Sequence, residues 1–162
     1  MTLVRNAIRA SSVVVVIAAV VVCAIFARGG TPLHYIMVST SAPPAPPASP
    51  LMPNDQGYVR VEMNSGSIRC SITSELVACQ TSANNWPPKP DGGAFHTVSV
   101  NADGEFHWVE ADLGALNGRI RLDEQTYSAR GWTIAVGGDG TRFTNDRTSH
   151  GMSVNDQRVE PF

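Results

Sequence analysis

Apolar positions follow two rhythms along this chain. From Ala10 to Ala27 no residue is charged, and valine fills positions 13–16 and 20–22, so the first rhythm is a solid block of 18 residues. Rising about 1.5 Å per residue as a helix, the block covers about 27 Å, enough to cross a hydrocarbon core of roughly 30 Å once. Valine is a mediocre helix former in water, but in lipid the backbone can only bond to itself, so a helix over 10–28 is expected. Beyond residue 54 the rhythm becomes alternation. Valine, threonine and aromatic residues take turns with polar ones, broken at intervals by Gly, Asn and Asp, which reads as short strands joined by tight turns. The expected fold of 54–162 is all-β, a small antiparallel barrel or sandwich of about eight strands.

Three hairpins follow from the alternation. In the first, a two-residue loop at Ser74-Glu75 pairs Ile72 with Val77 and Cys70 with Cys79. Counting outward makes the cysteines a non-hydrogen-bonded pair, with Cα atoms about 4.5 Å apart, within disulfide reach. The same register puts Ile68, Cys70, Ile72, Val77 and Cys79 on one apolar face. A zinc site is the alternative, but two thiols with no nearby His or further Cys suit it poorly. In the second hairpin Asn101-Ala102-Asp103-Gly104 fits a type I turn closed by a left-handed glycine, placing Val100 opposite Phe106 and Val98 opposite Trp108. The third turns at Gly137–Gly140 and sets Ile134 against Phe143. Tyr58–Met63, a poorly formed Leu113–Leu122 and Met152–Val154 supply further strands. Asn84–Gly93 reads as an irregular, exposed, proline-rich loop.

Composition changes this picture chiefly through its segregation. The 162 residues carry a formal charge of -2, with 16% charged residues against the roughly 25% of an average chain. All 14 acidic residues lie from Asp55 onward, so residues 1–54 carry +3 and residues 55–162 carry -5. A basic nucleic-acid binder, a coiled coil, a polytopic membrane protein and a multi-domain enzyme are excluded. Arg5, Arg9 and the terminal amine outweigh Arg28, so residues 1–9 are expected on the cytoplasmic side and everything after the anchor outside. A cleaved signal peptide is the competing reading, but its apolar region is normally shorter than this block. A lipoprotein reading through Cys23 is weakened by Val22, since the residue before a lipidated cysteine should be small. Two cysteines paired in an exported domain, and one facing lipid, agree with an oxidising compartment. Residues 29–53 form the linker. Within Ser39–Pro53 six of fifteen residues are proline, a semi-rigid polyproline II stalk rather than a ligand for an SH3 or WW groove. Leu33–Val38 reads as an interfacial anchor, with a strand that returns to the domain as the alternative.

Candidate chemistry is sparse. Gly137-Gly138-Asp139-Gly140 is followed by a strand and lacks the lysine of a phosphate loop, so it is a hairpin turn. His96 falls opposite Glu110, an arrangement that can orient a general base, although both lie on the solvated side of the second hairpin, as does His107. The polar loop from Asn145 to His150 holds side chains able to bond a polar ligand, and equally able to bond their own turn. With Trp108 and Trp132 assigned to the core, Trp86 and Tyr127 are the aromatic faces left for a sugar. The candidate ligand surface is therefore Trp86, Tyr127, His96, Glu110, Asn145 and His150. No cofactor and no metal is called for, and no Asp-x-Asp-x-Asp loop suggests calcium.

The segments Cys70-Ser-Ile-Thr, Val77-Ala-Cys79-Gln80, Gly131-Trp132-Thr-Ile, Gly140-Thr-Arg-Phe-Thr-Asn145 and His150-Gly-Met152 resemble a group of small actinobacterial, mycobacterial-type, membrane-anchored or exported proteins with a proline-rich stalk and no assigned activity. That resemblance implies a cell-envelope location and an interaction role, and carries over no catalytic residue. The expected function is a non-enzymatic binding or assembly module of the cell envelope, held in the plasma membrane by residues 10–28, with an envelope protein or glycan as partner and no nucleic acid. The alternatives are a small extracytoplasmic hydrolase or carbohydrate-binding protein, or a secreted form after signal cleavage.

Overall fold

The computed structural model describes residues 46–63 and 65–162. The expected anchor at 10–28 and the linker up to residue 45 lie outside them. Among the described residues no helix is long and apolar enough to cross a membrane. Twelve strands form there: β1 Ser49–Pro50, β2 Val59–Glu62, β3 Ile68–Ile72, β4 Leu76–Thr81, β5 Thr97–Asn101, β6 Phe106–Val109, β7 Ile120–Arg121, β8 Thr126–Ala129, β9 Trp132–Gly137, β10 Gly140–Asn145, β11 Gly151–Val154 and β12 Val159–Pro161. They build two six-stranded sheets, one ordered β1-β8-β9-β10-β11-β12 and the other β6-β5-β4-β3-β2-β7.

Both sheets share a plan. Each is a five-stranded antiparallel meander, β2–β6 or β8–β12, with a two-residue strand added in parallel beside its first member. The added strands are exchanged: β1 precedes the first meander but pairs with β8, and β7 precedes the second but pairs with β2. Leu51 and Leu122 follow the two short strands in equivalent places, their amides donating to the carbonyls of Ser128 (2.8 Å) and Glu62 (3.0 Å). Following the pairings outward aligns Ser99-Val100-Asn101 of β5 with Ser153-Val154-Asn155 at the end of β11.

The alternation in sequence decides which face is buried, because successive strand residues point to opposite sides. Pairing sets Val61, Cys70, Cys79 and Val98 in one inward row, and Tyr127, Ile134, Phe143 and Met152 in its counterpart. All eight are buried, and with Trp132, Leu122 and their neighbours they form a single hydrophobic cluster drawn from both sheets. Two packed sheets rather than one closed barrel are therefore what the core holds together.

All three hairpins have the expected register, including Cys70 with Cys79, Val98 with Trp108 and Ile134 with Phe143. The cysteines are joined in a disulfide, with Cα atoms 4.1 Å apart. Four expectations need correction. The strands number twelve rather than about eight, and the sheets are mixed rather than purely antiparallel, because β1 and β7 pair in parallel. The domain also begins before residue 54: β1 falls within the proline-rich stretch, and Leu51 packs against the core. Proline is tolerated there because β1 is an edge strand, where a missing amide costs the ladder little. Finally, Leu113–Leu122 forms a strand only at Ile120–Arg121.

Candidate functional site

The order of the strands creates a concavity on the outer face of the β2–β6 sheet. The chain leaves β6 at one edge of its sheet and must re-enter as β7 at the opposite edge, so residues 110–119 cross the outer face as a strap. The outward row beneath it is Arg60, Ser71, Ala78 and Ser99, each paired with the next across β2 to β5. Specific bonds tie the strap down. Leu113 N donates to Gln80 Oε1 at 3.1 Å and Arg119 Nε pairs with Glu62 Oε2 at 3.0 Å, while within the strap Arg119 Nη1 donates to the Leu116 carbonyl at 2.7 Å.

Between strap and sheet runs an open groove of about 660 Å³, lined by Gln56, Tyr58, Arg60, Ser71, Thr73, Leu76, Ala78, Leu113 and Leu116. That volume falls in the range of small-ligand sites. One wall is apolar: Leu116, on the strap, is buried, while Leu76 and Tyr58 are each 39% exposed. The other end is cationic. Arg60 reaches the Asn117 carbonyl (3.2 Å) and Gln56 Oε1 (3.4 Å), lies over the Tyr58 ring at 5.8 Å, and keeps its Nε buried without an acceptor. An orphaned buried donor costs about 1–3 kcal/mol, which is why such atoms are uncommon and call for a physical reason.

The residues singled out in the sequence are dispersed. His96 and Glu110 do meet in one cleft of about 350 Å³, with Arg69, Lys89 and Asp112 also on its wall. No hydrogen bond or ion pair joins them among the described residues, so the imidazole lacks the orienting partner a general base needs. His150 lies at the far end of the β5–β6 hairpin, packed on Gly104, with Nδ1 3.3 Å from the Phe162 carbonyl. Gly104 has φ of 91°, and a side chain there would also collide with the His150 ring. Asn145 is buried, and its Oδ1 accepts from the amides of Arg147 (3.1 Å) and Thr148 (3.2 Å), so it builds the turn.

The two aromatic residues read as free for a sugar are both in the core. Trp86 is 2% exposed; its Nε1 donates to the Asn155 carbonyl at 3.1 Å, and its ring meets Trp108 edge-on at 5.5 Å. The proline-rich loop around it is exposed as expected, but the tryptophan turns inward, where a large apolar ring with one satisfied N–H is most stable. Tyr127 is 5% exposed, its hydroxyl accepting from Asp123 N (2.9 Å) and Gln125 Nε2 (2.8 Å). Trp108, expected in the core, is only half-buried, capping the edge strand β6 with Phe95 and Phe106 against it.

The Arg60 groove was not singled out in the sequence. The alternation Tyr58-Val-Arg60-Val-Glu62 places Arg60 on the outer face, but nothing local announces that a strap crosses above it. Among the described residues no three His, Cys, Asp or Glu side chains gather as a metal site would require. In comparisons with known proteins no family model matches the chain, and neither a curated protein nor a solved structure matches it.

Proposed function

We propose that the chain is a single-pass membrane protein, amino terminus in the cytoplasm, whose β-domain lies outside as a non-enzymatic binding or assembly module of the cell envelope. The observation supporting export is the Cys70–Cys79 disulfide, buried in the core of the domain. Structural disulfides persist in oxidising compartments and are rare in the cytosol. The 18-residue uncharged block ahead of the domain, with its basic flank at Arg5 and Arg9, supplies both the means of export and the anchor. The resemblance to exported actinobacterial proteins belongs to the same reading. Support for binding rather than catalysis comes from the strap groove, which joins an apolar wall to a fixed cation, the usual make-up of a recognition site.

Alkaline phosphatase, active only where its disulfides form, tests the topology when fused after Pro53. Activity in whole cells is expected; a stable but inactive fusion excludes export. Retention of that activity in washed membranes, with none in the medium, distinguishes the anchor from a cleaved signal.

A further inference from the structure

The groove beneath the strap sets an unpaired cation beside an apolar wall, and those two facts define a ligand. Arg119, Arg147 and Arg158 each meet a carboxylate within 3.2 Å. Arg60 instead contacts two neutral oxygens, and its Nε has no acceptor. A guanidinium is always charged and presents its donors as a fork matching the two oxygens of a carboxylate. Directly across the strand pair stands Ser71, whose hydroxyl makes no hydrogen bond among the described residues. Leu76, Leu113 and Leu116 supply the apolar wall next to this pair of donors.

We propose that this groove binds the C-terminal carboxylate of a peptide whose last side chain is apolar. Arg60 and Ser71 take the carboxylate, which displaces the long contact to Gln56, and the leucine wall takes the terminal side chain. An acidic sugar fits less well, because its ring hydroxyls would lie against leucines that offer them no partner. Residues 1–45 contain no Asp or Glu, so their side chains bring no carboxylate to Arg60. This inference rests on the binding-module reading for its purpose, but not on the anchor or the topology.

The test uses the purified full-length chain and hexapeptides ending in Ala, Val, Leu, Ile, Met or Phe, each as the free acid and as the C-terminal amide, with binding read by fluorescence anisotropy. Peptides ending in the larger apolar residues are expected to bind as acids and to lose at least about tenfold in affinity as amides, the scale of one charge-assisted pair. Arg60→Met is expected to bind acid and amide alike, and Leu113→Asp to weaken both. Because Arg60 also steadies the strap through Asn117, Ser71→Ala serves as the second variant; it should weaken the acid severalfold with the thermal midpoint unchanged. Equal affinity of acids and amides overturns the proposal. So does absence of binding at millimolar peptide, or binding of oligogalacturonate with no peptide bound. These outcomes are separate from the phosphatase result, which reports only where the domain lies.

Discussion

Gly151 opens β11 straight after the Asn145–His150 turn, but nothing local shows that an added Cβ would run into the Phe143 carbonyl oxygen on the neighbouring strand. No rotamer relieves a clash between a Cβ and backbone, so Gly151→Ala must push β10 and β11 apart. A loss of at least about 3 kcal/mol is expected from urea denaturation; a loss under about 1 kcal/mol would show that the strands separate easily. Trp86 marks the opposite failure. Prolines and polar residues on both sides marked its loop as surface, which is correct for the loop and wrong for the ring. The reason is the distant Asn155 carbonyl that accepts its N–H, a partner far along the chain that local pattern cannot reveal.

At the scale of elements, the hairpins were legible because everything that sets their register is local: turn residues, alternation and the side chains facing each other across the turn. The first hairpin shows this best, since counting outward from Ser74-Glu75 led to the cysteine pair that the structure joins. Closing so short a loop is worth about 2 to 3 kcal/mol in the chain-entropy account. The double variant Cys70→Ala/Cys79→Ala is therefore expected to unfold at lower denaturant by about that amount, while keeping the β-rich circular dichroism of the parent. An unchanged midpoint would mean that strand pairing alone suffices. The short strands β1 and β12 escaped notice, and β7 was read only as part of a longer Leu113–Leu122 strand, for the converse reason. Two or three residues carry no periodicity, and β1 and β7 owe their existence to parallel partners in distant sequence. The strap and its groove were illegible with them, because the crossing is imposed by where β7 docks.

Over the whole molecule the exchanged strands matter most. Each meander is completed by a strand that precedes the other, so the two halves are mutually dependent at their edges. Deleting residues 46–51 is expected to speed hydrogen exchange in β8, at Thr126–Ala129, and to leave β3, β4 and β5 protected, as read by mass spectrometry of peptic fragments. Uniform acceleration throughout would instead mean that β1 holds both halves together. The same arrangement governs timing. A ribosome releases Ser49–Pro50 first, before either meander exists, and β8 emerges only after the whole first half has been made. The first meander can assemble from neighbouring hairpins while it waits, since its contacts are short in sequence. The longest loop closes last, when the chain has already lost most of its freedom and the entropy of bringing β1 to β8 is smallest. The earliest part of the domain to be synthesised is thereby among the last to find its place.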